Sequence, residues 1–309
     1  MINNKSKIYI VAGPTAVGKT QYSIDLAKKL DGEIVSLDSV QVYKHLNIGT
    51  AKITSDEMQG IKHYMIDEVE PNINLNVKEF KDMANAYIND ILSREKVPIL
   101  VGGSGFYIRA VLYDTEFLDE DDIESQNIRK ELNNLYEEKG IDYLFDILKY
   151  IDVESSEIIP KENVKRVVRA IEFYKLHGFP ISKHNSEEKA KESIYDYEFY
   201  VLNMERDRLY DRINARVDKM ISDGLLIEIK QLINMGLGSD LNSMRSIGYA
   251  ELYDFVRKND EIRDINELSS DKKEELNFLV DKIKQHSRNY AKRQLTWFKA
   301  QKNIIWIER

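Results

Sequence analysis

A glycine-rich segment, GPTAVGKT at residues 13–20, constrains the fold of this chain more than any other feature. It matches the pattern G-x-x-x-x-G-K-[ST] and follows an apolar, β-branched run at residues 7–12. The apolar residues after it are spaced for an amphipathic helix, which Asp31 and Gly32 should end. A strand, a glycine loop and a helix in this order predict a phosphate-binding P-loop.

Each residue type in this loop has a physical reason. The glycines let the backbone curl so that successive N–H groups surround an anion at the helix N-terminus. Lys19 adds a positive charge for the outer phosphates, and the Thr20 hydroxyl can bind Mg²⁺. The predicted anion site is the whole loop: Gly13, Pro14, Thr15, Ala16, Val17, Gly18, Lys19 and Thr20.

Short apolar runs alternate with helical patterns over much of the chain. This alternation predicts an α/β fold: a P-loop-containing parallel sheet with helices on both faces. The apolar runs lie at residues 7–12, 33–37, 63–69, 99–101, 199–203 and 304–307. A helix is predicted from Val77 to Ser93, and the chain from Arg206 onward is mostly helical in pattern.

The middle of the chain differs in composition, because residues 116–193 are strongly charged and mostly helical in pattern. Ile128, Leu132 and Leu135 form one apolar stripe, and residues 164–174 carry another. We therefore expect a helical insertion domain at residues 116–194 within a core formed by residues 1–115 and 195–309.

Composition limits the classes of function. The 309 residues carry a net charge of −8, which argues against a surface that is basic throughout. Basic segments remain at residues 161–169 and 281–309, and their pattern alone favours solvated helix faces. The absence of cysteine excludes disulfides and thiolate metal sites. The chain shows no signal peptide and no apolar run of membrane-spanning length, so a cytoplasmic location without membrane contact is expected.

Asp38 is the candidate catalytic carboxylate. It follows the run at residues 33–37, and sites in parallel α/β sheets lie at the carboxyl ends of strands. Asp38 should therefore face the P-loop, where it could act as a base or bind magnesium. The alternative is that Asp38 only caps a turn together with Ser39.

Several motifs in series resemble one family, the tRNA dimethylallyltransferases, also called tRNA isopentenyltransferases. In the first part of the chain these motifs are GPTAVGKT (13–20), DSVQVYKHLNIGTAK (38–52), HYMID (63–67) and LVGGSGFY (100–107). The later ones are KRVVRAIE (165–172), RINARVDKMISDGLLIE (212–228), RSIGYAE (245–251) and YAKRQLTWF (290–298). The resemblance extends from about residue 7 to residue 307.

The resemblance implies a reaction and its residues. A dimethylallyl group would pass from dimethylallyl diphosphate to the exocyclic amino group of the adenosine just 3′ of the anticodon in tRNA, with Mg²⁺ as cofactor. Asp38 corresponds to the general base, and the P-loop would hold the diphosphate. Ser104 would contact the diphosphate or the adenosine. Arg216 would grip the leaving diphosphate, with Arg212 as the competing candidate.

The resemblance also implies contacts with the anticodon stem-loop, and it overrides the preference for a solvated face at residues 165–169. The implied tRNA-binding residues are Asp38, Ser39, Val40, Gln41, Ser104, Arg129, Lys165, Arg166, Val167, Val168, Arg169, Arg245 and Gly248. Ser104 stands where the family usually has Thr, and Ala250 where it often has a basic residue. A zinc-finger extension is absent, so the chain looks like the bacterial form and is expected to be a monomer.

Three other functions share some of these features. A P-loop kinase would have the same loop and core, but no apolar strand ending in Asp follows residue 101. A prenyltransferase acting on free adenine nucleotides would have little use for a basic helical insertion. A non-enzymatic RNA-binding protein would not need Lys19, Thr20 and Asp38 together.

Overall fold

The computed structural model describes residues 5–118, 123–259, 261 and 268–309. In these residues the predicted α/β fold is confirmed: six strands form one parallel sheet in the order β3-β2-β4-β1-β5-β6. The strands are β1 (Lys7–Ala12), β2 (Gly32–Ser36), β3 (His63–Tyr64), β4 (Val97–Gly102), β5 (Asp196–Asn203) and β6 (Ile304–Glu308).

Helices connect most of these strands, and the middle and C-terminal parts of the chain are mainly helical. The first helices are α1 (Lys19–Leu30), α2 (Val77–Ser93), α3 (Gly105–Leu112), α4 (Ile123–Ile151, interrupted at Gly140), α5 (Val153–Ile158) and α6 (Val164–His177). The others are α7 (Ile181–Ala190), α8 (Arg206–Ser222), α9 (Leu225–Asn234), α10 (Tyr249–Lys258) and α11 (Ser270–Lys299).

Side chains of β1 alternate between two hydrophobic clusters, one on each face of the sheet. Ile8 and Ile10 belong to the larger cluster, which includes residues of α2, α3, α9, α10 and α11. Val11 belongs to the second cluster, with residues of α1 and α8. Both faces of the sheet are therefore covered by helices, as expected for buried parallel strands.

Predicted and observed strand bounds differ at β3, β4 and β5. β3 covers only His63–Tyr64 of the predicted run at residues 63–69. β5 starts at Asp196, three positions before its predicted start at residue 199, because its first residues pair in register with β1 from Lys7 onward. β4 starts at Val97 and so includes Pro98, which lies opposite Glu33 near the beginning of the strand. α2 has the predicted bounds, with Asn76 and Glu79 forming a capping box at its N-terminus.

The chain separates into two compact units. The α/β unit comprises Met1–Asp114 and Ile194–Arg309, and the helical unit comprises Thr115–Ser193. The helical unit has its own core, which includes Leu132, Leu144 and Ile171. The parts of the predictions that fall on residues 1–4, 119–122, 260 and 262–267 lie outside the described residues. Within the described ranges, every helix is too short or too polar to cross a bilayer.

An ion pair between the buried Glu33 and the partly exposed Arg94 joins β2, β3 and the residue after α2. The two Nη atoms of Arg94 donate to the Glu33 carboxylate at 2.7 and 2.6 Å, and the Tyr64 hydroxyl donates to it at 2.8 Å. The bonds from Arg94 lower the pKa of Glu33 to about 2, against the opposing effect of burial. The pair lies at the start of β2, at the opposite end of that strand from Asp38.

The Glu33 pKa predicts a pH-dependent stability. A depressed carboxyl pKa stabilises the fold above the unfolded value, 4.5, and this contribution is lost as the pH falls towards 2. The difference in unfolding free energy between wild type and Glu33→Gln should shrink by about 2 kcal/mol between pH 6 and pH 3. Urea denaturation measures it, with Glu70→Gln in the exposed Lys44–Glu70 pair as control. An unchanged difference would contradict this role.

Candidate active site

The loops that follow β1, β4 and β2 meet at one edge of the sheet. These strands are neighbours, with Ala12 paired with Gly102 and Ser36 paired with Val101 at their carboxyl ends. The first loop carries Lys19, the second Ser104 and the third Asp38. Helices α8 and α11 complete a cleft of about 990 Å³ in the α/β unit.

The glycine loop takes a backbone conformation that its first residue makes accessible. Gly13 has φ 145°, and a Cβ there would lie 2.6 Å from the Leu202 carbonyl oxygen. The Lys19 ammonium donates to the carbonyl oxygens of Gly13 and Pro14 at 3.0 and 2.9 Å, so it folds back across the loop. Gly18 caps α1, whose N-terminal N–H groups point into an anion-binding position.

Asp38 caps a turn, which is one of the two alternatives that the sequence left open. Its Oδ1 accepts from the backbone N–H groups of Val40 and Gln41 at 2.9 and 3.2 Å, so it caps the turn that follows β2. Within the described part of the chain, no hydrogen bond reaches Oδ2. The residue is half-buried and lines the cleft, so this oxygen is available to a ligand.

Gln294 of α11 ties two of the loops together. Its Oε1 accepts from the Thr15 N–H at 3.0 Å, and its Nε2 donates to the Gly103 carbonyl at 2.9 Å. The partners fix the orientation of the amide, since one is a donor and the other an acceptor. This side chain therefore sets the spacing between the glycine loop and the segment that carries Ser104. The Ser104 hydroxyl makes no capping hydrogen bond to α3.

Both candidate arginines of α8 contact the glycine loop. Arg216 donates to the Thr15 hydroxyl at 3.3 Å and to the Thr50 carbonyl at 3.1 Å. Arg212 donates from Nε to the Ala16 carbonyl at 2.9 Å. Arg216 is the more enclosed of the two, and burial lowers the pKa of its guanidinium while the nearby Asp38 raises it. An arginine remains charged after such a shift.

Positive charge dominates the cleft of this acidic protein. Against Asp38 and Glu57, the basic residues that line it are Lys19, Arg212, Arg216, Lys219, Arg245 and Arg293. Burial and the charge of Arg216 together lower the pKa of Lys19 to about 8, against the opposing effect of Asp38. A bound anion would relieve this repulsion, so the cleft is suited to a polyanion.

Two tyrosines lie near Asp38. Burial and the Asp38 charge raise the pKa of Tyr290 to about 12, so its phenol stays neutral and can donate a hydrogen bond. Burial also raises the pKa of Tyr107, and a hydrogen bond with Ser39 offsets part of this increase.

The donor set fits a magnesium ion that is shared with a phosphate ligand. The described residues contain no group of three or more His, Cys, Asp or Glu side chains that could hold a metal alone. Thr20 and Asp38, which both line the cleft, offer hard oxygen ligands. Mg²⁺ is commonly bound by one or two protein oxygens together with substrate phosphates and water.

Most predicted site residues of the α/β unit line this one cleft. They are Thr15, Ala16, Gly18, Lys19, Thr20, Asp38, Ser39, Val40, Gln41, Ser104, Arg212, Arg216 and Arg245. Gly13, Pro14 and Val17 are buried beneath the loop surface. Gly248 is also buried and does not line the cleft. It is the N-cap residue of α10, and its N–H donates to the Glu251 carboxylate.

In the helical unit, the predicted tRNA-binding residues divide into three groups: exposed, buried and partly engaged side chains. Lys165 and Arg166 are exposed on α6. The side chains of Val167 and Val168 are buried in the unit's core, which leaves them unable to touch a ligand. On this helix, the basic residues therefore remain as candidates for contact with a ligand.

Arg129 and Arg169 are partly engaged within the same unit. Arg129 pairs with the buried Glu172 at 2.8 Å, and Arg169 lies 3.9 Å from the same carboxylate. Both side chains remain 43% exposed, so each can still reach solvent or a ligand. Glu172 fixes their positions on the helices that carry them.

Sequence reasoning missed the contribution of α11 to the cleft. Tyr290, Arg293 and Gln294 line it, and the motif YAKRQLTWF contains all three. The motif was visible, but its helical spacing does not say which loops its side chains meet.

Comparisons with known proteins identify relatives along nearly the whole chain. The IPP transferase family profile matches residues 41–301. The tRNA dimethylallyltransferase of Lachnoclostridium phytofermentans is 47% identical over 302 residues, which are 98% of this chain and 91% of that protein.

Three solved structures of similar proteins also match nearly the whole chain. The tRNA isopentenylpyrophosphate transferase of Bacillus halodurans has a TM-score of 0.68 at 40% identity, covering 98% of this chain and 90% of that one. The enzyme of Staphylococcus epidermidis has a TM-score of 0.66 at 41% identity, with 98% and 93% coverage. A eukaryotic dimethylallyltransferase acting on tRNA has a TM-score of 0.78 at 27% identity, with 98% and 74% coverage.

The clamp made by Gln294 predicts a loss of stability when it is removed. Gln294→Leu keeps the volume but leaves the Thr15 N–H and the Gly103 carbonyl without their partner. We expect the unfolding free energy to fall by about 2 kcal/mol, measured by urea denaturation. Thr296→Ala, which removes an exposed hydroxyl on the same helix, is the control and should change it far less. Equal stability of the two variants would argue against the clamp.

Proposed function

This chain belongs to the IPP transferase family and transfers a dimethylallyl group to tRNA, and we propose that the acceptor is the exocyclic amino group of the adenosine just 3′ of the anticodon. The observation that carries the proposal is the position of Asp38. Its Oδ1 is held by backbone N–H groups while Oδ2 faces a cationic cleft beside the glycine loop. A base next to a diphosphate site is what N-prenylation requires.

The glycine loop would bind the diphosphate of dimethylallyl diphosphate. The N-terminus of α1, Lys19 and Arg216 supply positive charge around one position, where negative charge grows as the leaving group departs. Ser104 lines the same cleft, where its hydroxyl would donate to the diphosphate or the acceptor. Mg²⁺, when bound with the help of Thr20, would neutralise part of the diphosphate charge.

The chemical step forms one bond and breaks another. The adenosine nitrogen attacks the first carbon of the dimethylallyl group, the bond from that carbon to the diphosphate oxygen breaks, and diphosphate leaves. The nitrogen's extra proton passes to Oδ2 of Asp38. The Asp38 cap at Val40 and Gln41 holds the carboxylate in place for this transfer.

The acceptor base must leave its stack to reach the cleft. Enzymes that modify a base in a folded nucleic acid extrude it into a pocket, and an anticodon loop makes this less costly than a duplex does. In this proposal Asp38, Ser39, Val40, Gln41, Ser104 and Arg245 surround the nucleotide. The basic residues of the helical unit, Thr115–Ser193, would grip the RNA backbone. We propose a cytoplasmic monomer, as the family resemblance implies.

Radiolabelled dimethylallyl diphosphate tests the acceptor directly. The purified protein is incubated with the labelled donor, Mg²⁺ and an unmodified tRNA transcript. A transcript with guanosine in place of the adenosine 3′ of the anticodon serves as the control. Label in the first transcript alone supports the proposal. Label in both transcripts, or only in added adenosine monophosphate, refutes it.

Asp38→Asn should separate the two functions of this side chain. The asparagine oxygen can still accept from Val40 and Gln41, so the turn is kept, but the side chain cannot take a proton. We expect the transfer rate to fall roughly 10²- to 10⁴-fold while tRNA affinity stays within about twofold of wild type. Single-turnover kinetics and filter binding measure these quantities. Full activity in the variant would remove Asp38 as the base.

Arg166→Ala tests the helical unit as an RNA-binding surface. Arg166 is exposed on α6, so its loss should weaken tRNA binding and reduce the slope of log K against log salt by about one. Lys175→Ala on the same helix is the matched control, because Lys175 is paired with Glu131 at 2.8 Å. Titrations at several salt concentrations give both slopes. A slope equal to that of wild type would exclude a phosphate contact at Arg166.

A further inference from the structure

Glu228 of α9 is a buried carboxylate whose hydrogen bonds all point to one short loop and one tyrosine. Oε2 accepts from the backbone N–H groups of Asn47 and Ile48 at 2.9 and 2.7 Å. Oε1 accepts from the Gly49 N–H at 3.1 Å and from the Tyr249 hydroxyl at 2.6 Å. The residue is 6% exposed, and Tyr249 is fully buried. These bonds compensate the desolvation of the charge, so the loop must keep this shape.

The residue after this loop holds two side chains of the cleft. The Thr50 carbonyl accepts from Arg216 Nη2 at 3.1 Å and from Gln41 Nε2 at 3.1 Å. Arg216 also donates a hydrogen bond from Nη1 to the Thr15 hydroxyl of the glycine loop. A displacement of residues 47–50 would therefore move a candidate diphosphate ligand and a candidate acceptor-binding residue together.

The same loop, residues 47–49, also packs tightly against Tyr249. A Cβ on Gly49 would lie 2.4 Å from the tyrosine ring, so only glycine lets the backbone approach this closely. The Thr50 hydroxyl donates to the Leu46 carbonyl at 2.7 Å, which fixes the loop at its other side. The loop thus has one geometry that satisfies Glu228 and Tyr249.

We propose that Glu228 is a positioning residue, which sets Arg216 and Gln41 for the reaction by holding the backbone of residues 47–50. It touches neither substrate, and it acts through the Thr50 carbonyl. This inference rests on the proposed function for its kinetic consequence, but its structural content does not depend on which substrates are used.

Glu228→Gln is a sharp test because it removes the acceptor Oε1 and keeps the other oxygen. With its oxygen in the place of Oε2, glutamine still accepts from Asn47 and Ile48. Its NH₂ group then takes the place of Oε1 and cannot accept from the Gly49 N–H or from the Tyr249 hydroxyl, so both of those bonds are lost. Hydrogen exchange should become faster at the amide of Gly49. The affinity for inorganic diphosphate and kcat/KM for the prenyl donor should each fall about tenfold to a hundredfold, as expected for small displacements of positioning groups.

Tyr249→Phe is the milder second variant, since it removes one hydroxyl from Glu228 and preserves the ring. It should weaken diphosphate binding by a smaller factor. Tyr253→Phe, one turn further along α10, is its control, because among the described residues the buried Tyr253 hydroxyl bonds to the Leu237 carbonyl and not to Glu228. Glu33→Gln is the control for Glu228→Gln, as a second buried carboxylate away from the cleft.

The proposal holds if both Glu228→Gln and Tyr249→Phe weaken diphosphate binding and their controls do not, with all four proteins folded by circular dichroism. It fails if Glu228→Gln binds diphosphate as wild type does, or is affected no more than Glu33→Gln. Failure of the proposed function has a separate signature. The wild-type protein would then not prenylate tRNA, while the exchange and diphosphate measurements would still decide the role of Glu228.

Discussion

The hydrogen-bonded register of β2, β4 and β1 is the constraint on which the site depends. Because these strands are parallel neighbours, their carboxyl ends reach the same edge of the sheet together. The glycine loop, Ser104 and Asp38 each follow one of them directly, so backbone pairing brings the three together. A slip of one residue in any pair would also turn the strand's apolar side chains to the wrong face, which both core clusters resist.

Pairing within the sheet brings the loops of the cleft together, and buried polar side chains then fix the positions of these loops. Gln294 fixes the glycine loop relative to Gly103, and Glu228 fixes residues 47–50 relative to α9 and α10. Each bond of this kind adds little net stability, but a missing partner leaves a buried group unsatisfied at a larger cost. Alternative loop conformations are therefore disfavoured more strongly than the native one is favoured. Such anchors give a site the rigidity that catalysis needs.

Much of the fold was predictable because its signals are local. The bounds of α2 and β1 follow from caps and apolar periodicity, and the alternation of strands and helices indicated the parallel sheet. The carboxyl-end rule placed Asp38 at the glycine loop. The contributions of Gln294 and Glu228 were not predictable from pattern. Their partners lie far away in the chain, and a polar residue on a helix reads as solvent-facing until the packing is known. Val167 and Val168 show the converse, since a motif match included residues that form core.

In the proposed function, the carboxylate of Asp38 serves both as a turn cap and as the base. Binding of Oδ1 by two backbone N–H groups removes the freedom of the side chain to rotate, so Oδ2 keeps one direction in the cleft. A base that is already oriented loses less entropy when the acceptor arrives. The charge of Arg216 lowers the pKa of Lys19, and Asp38 raises the pKa of both. In the proposed reaction the leaving anion would therefore depart into the positive charge that this carboxylate balances. The hydrogen bonds that cap the turn after β2 would then also orient the proposed base.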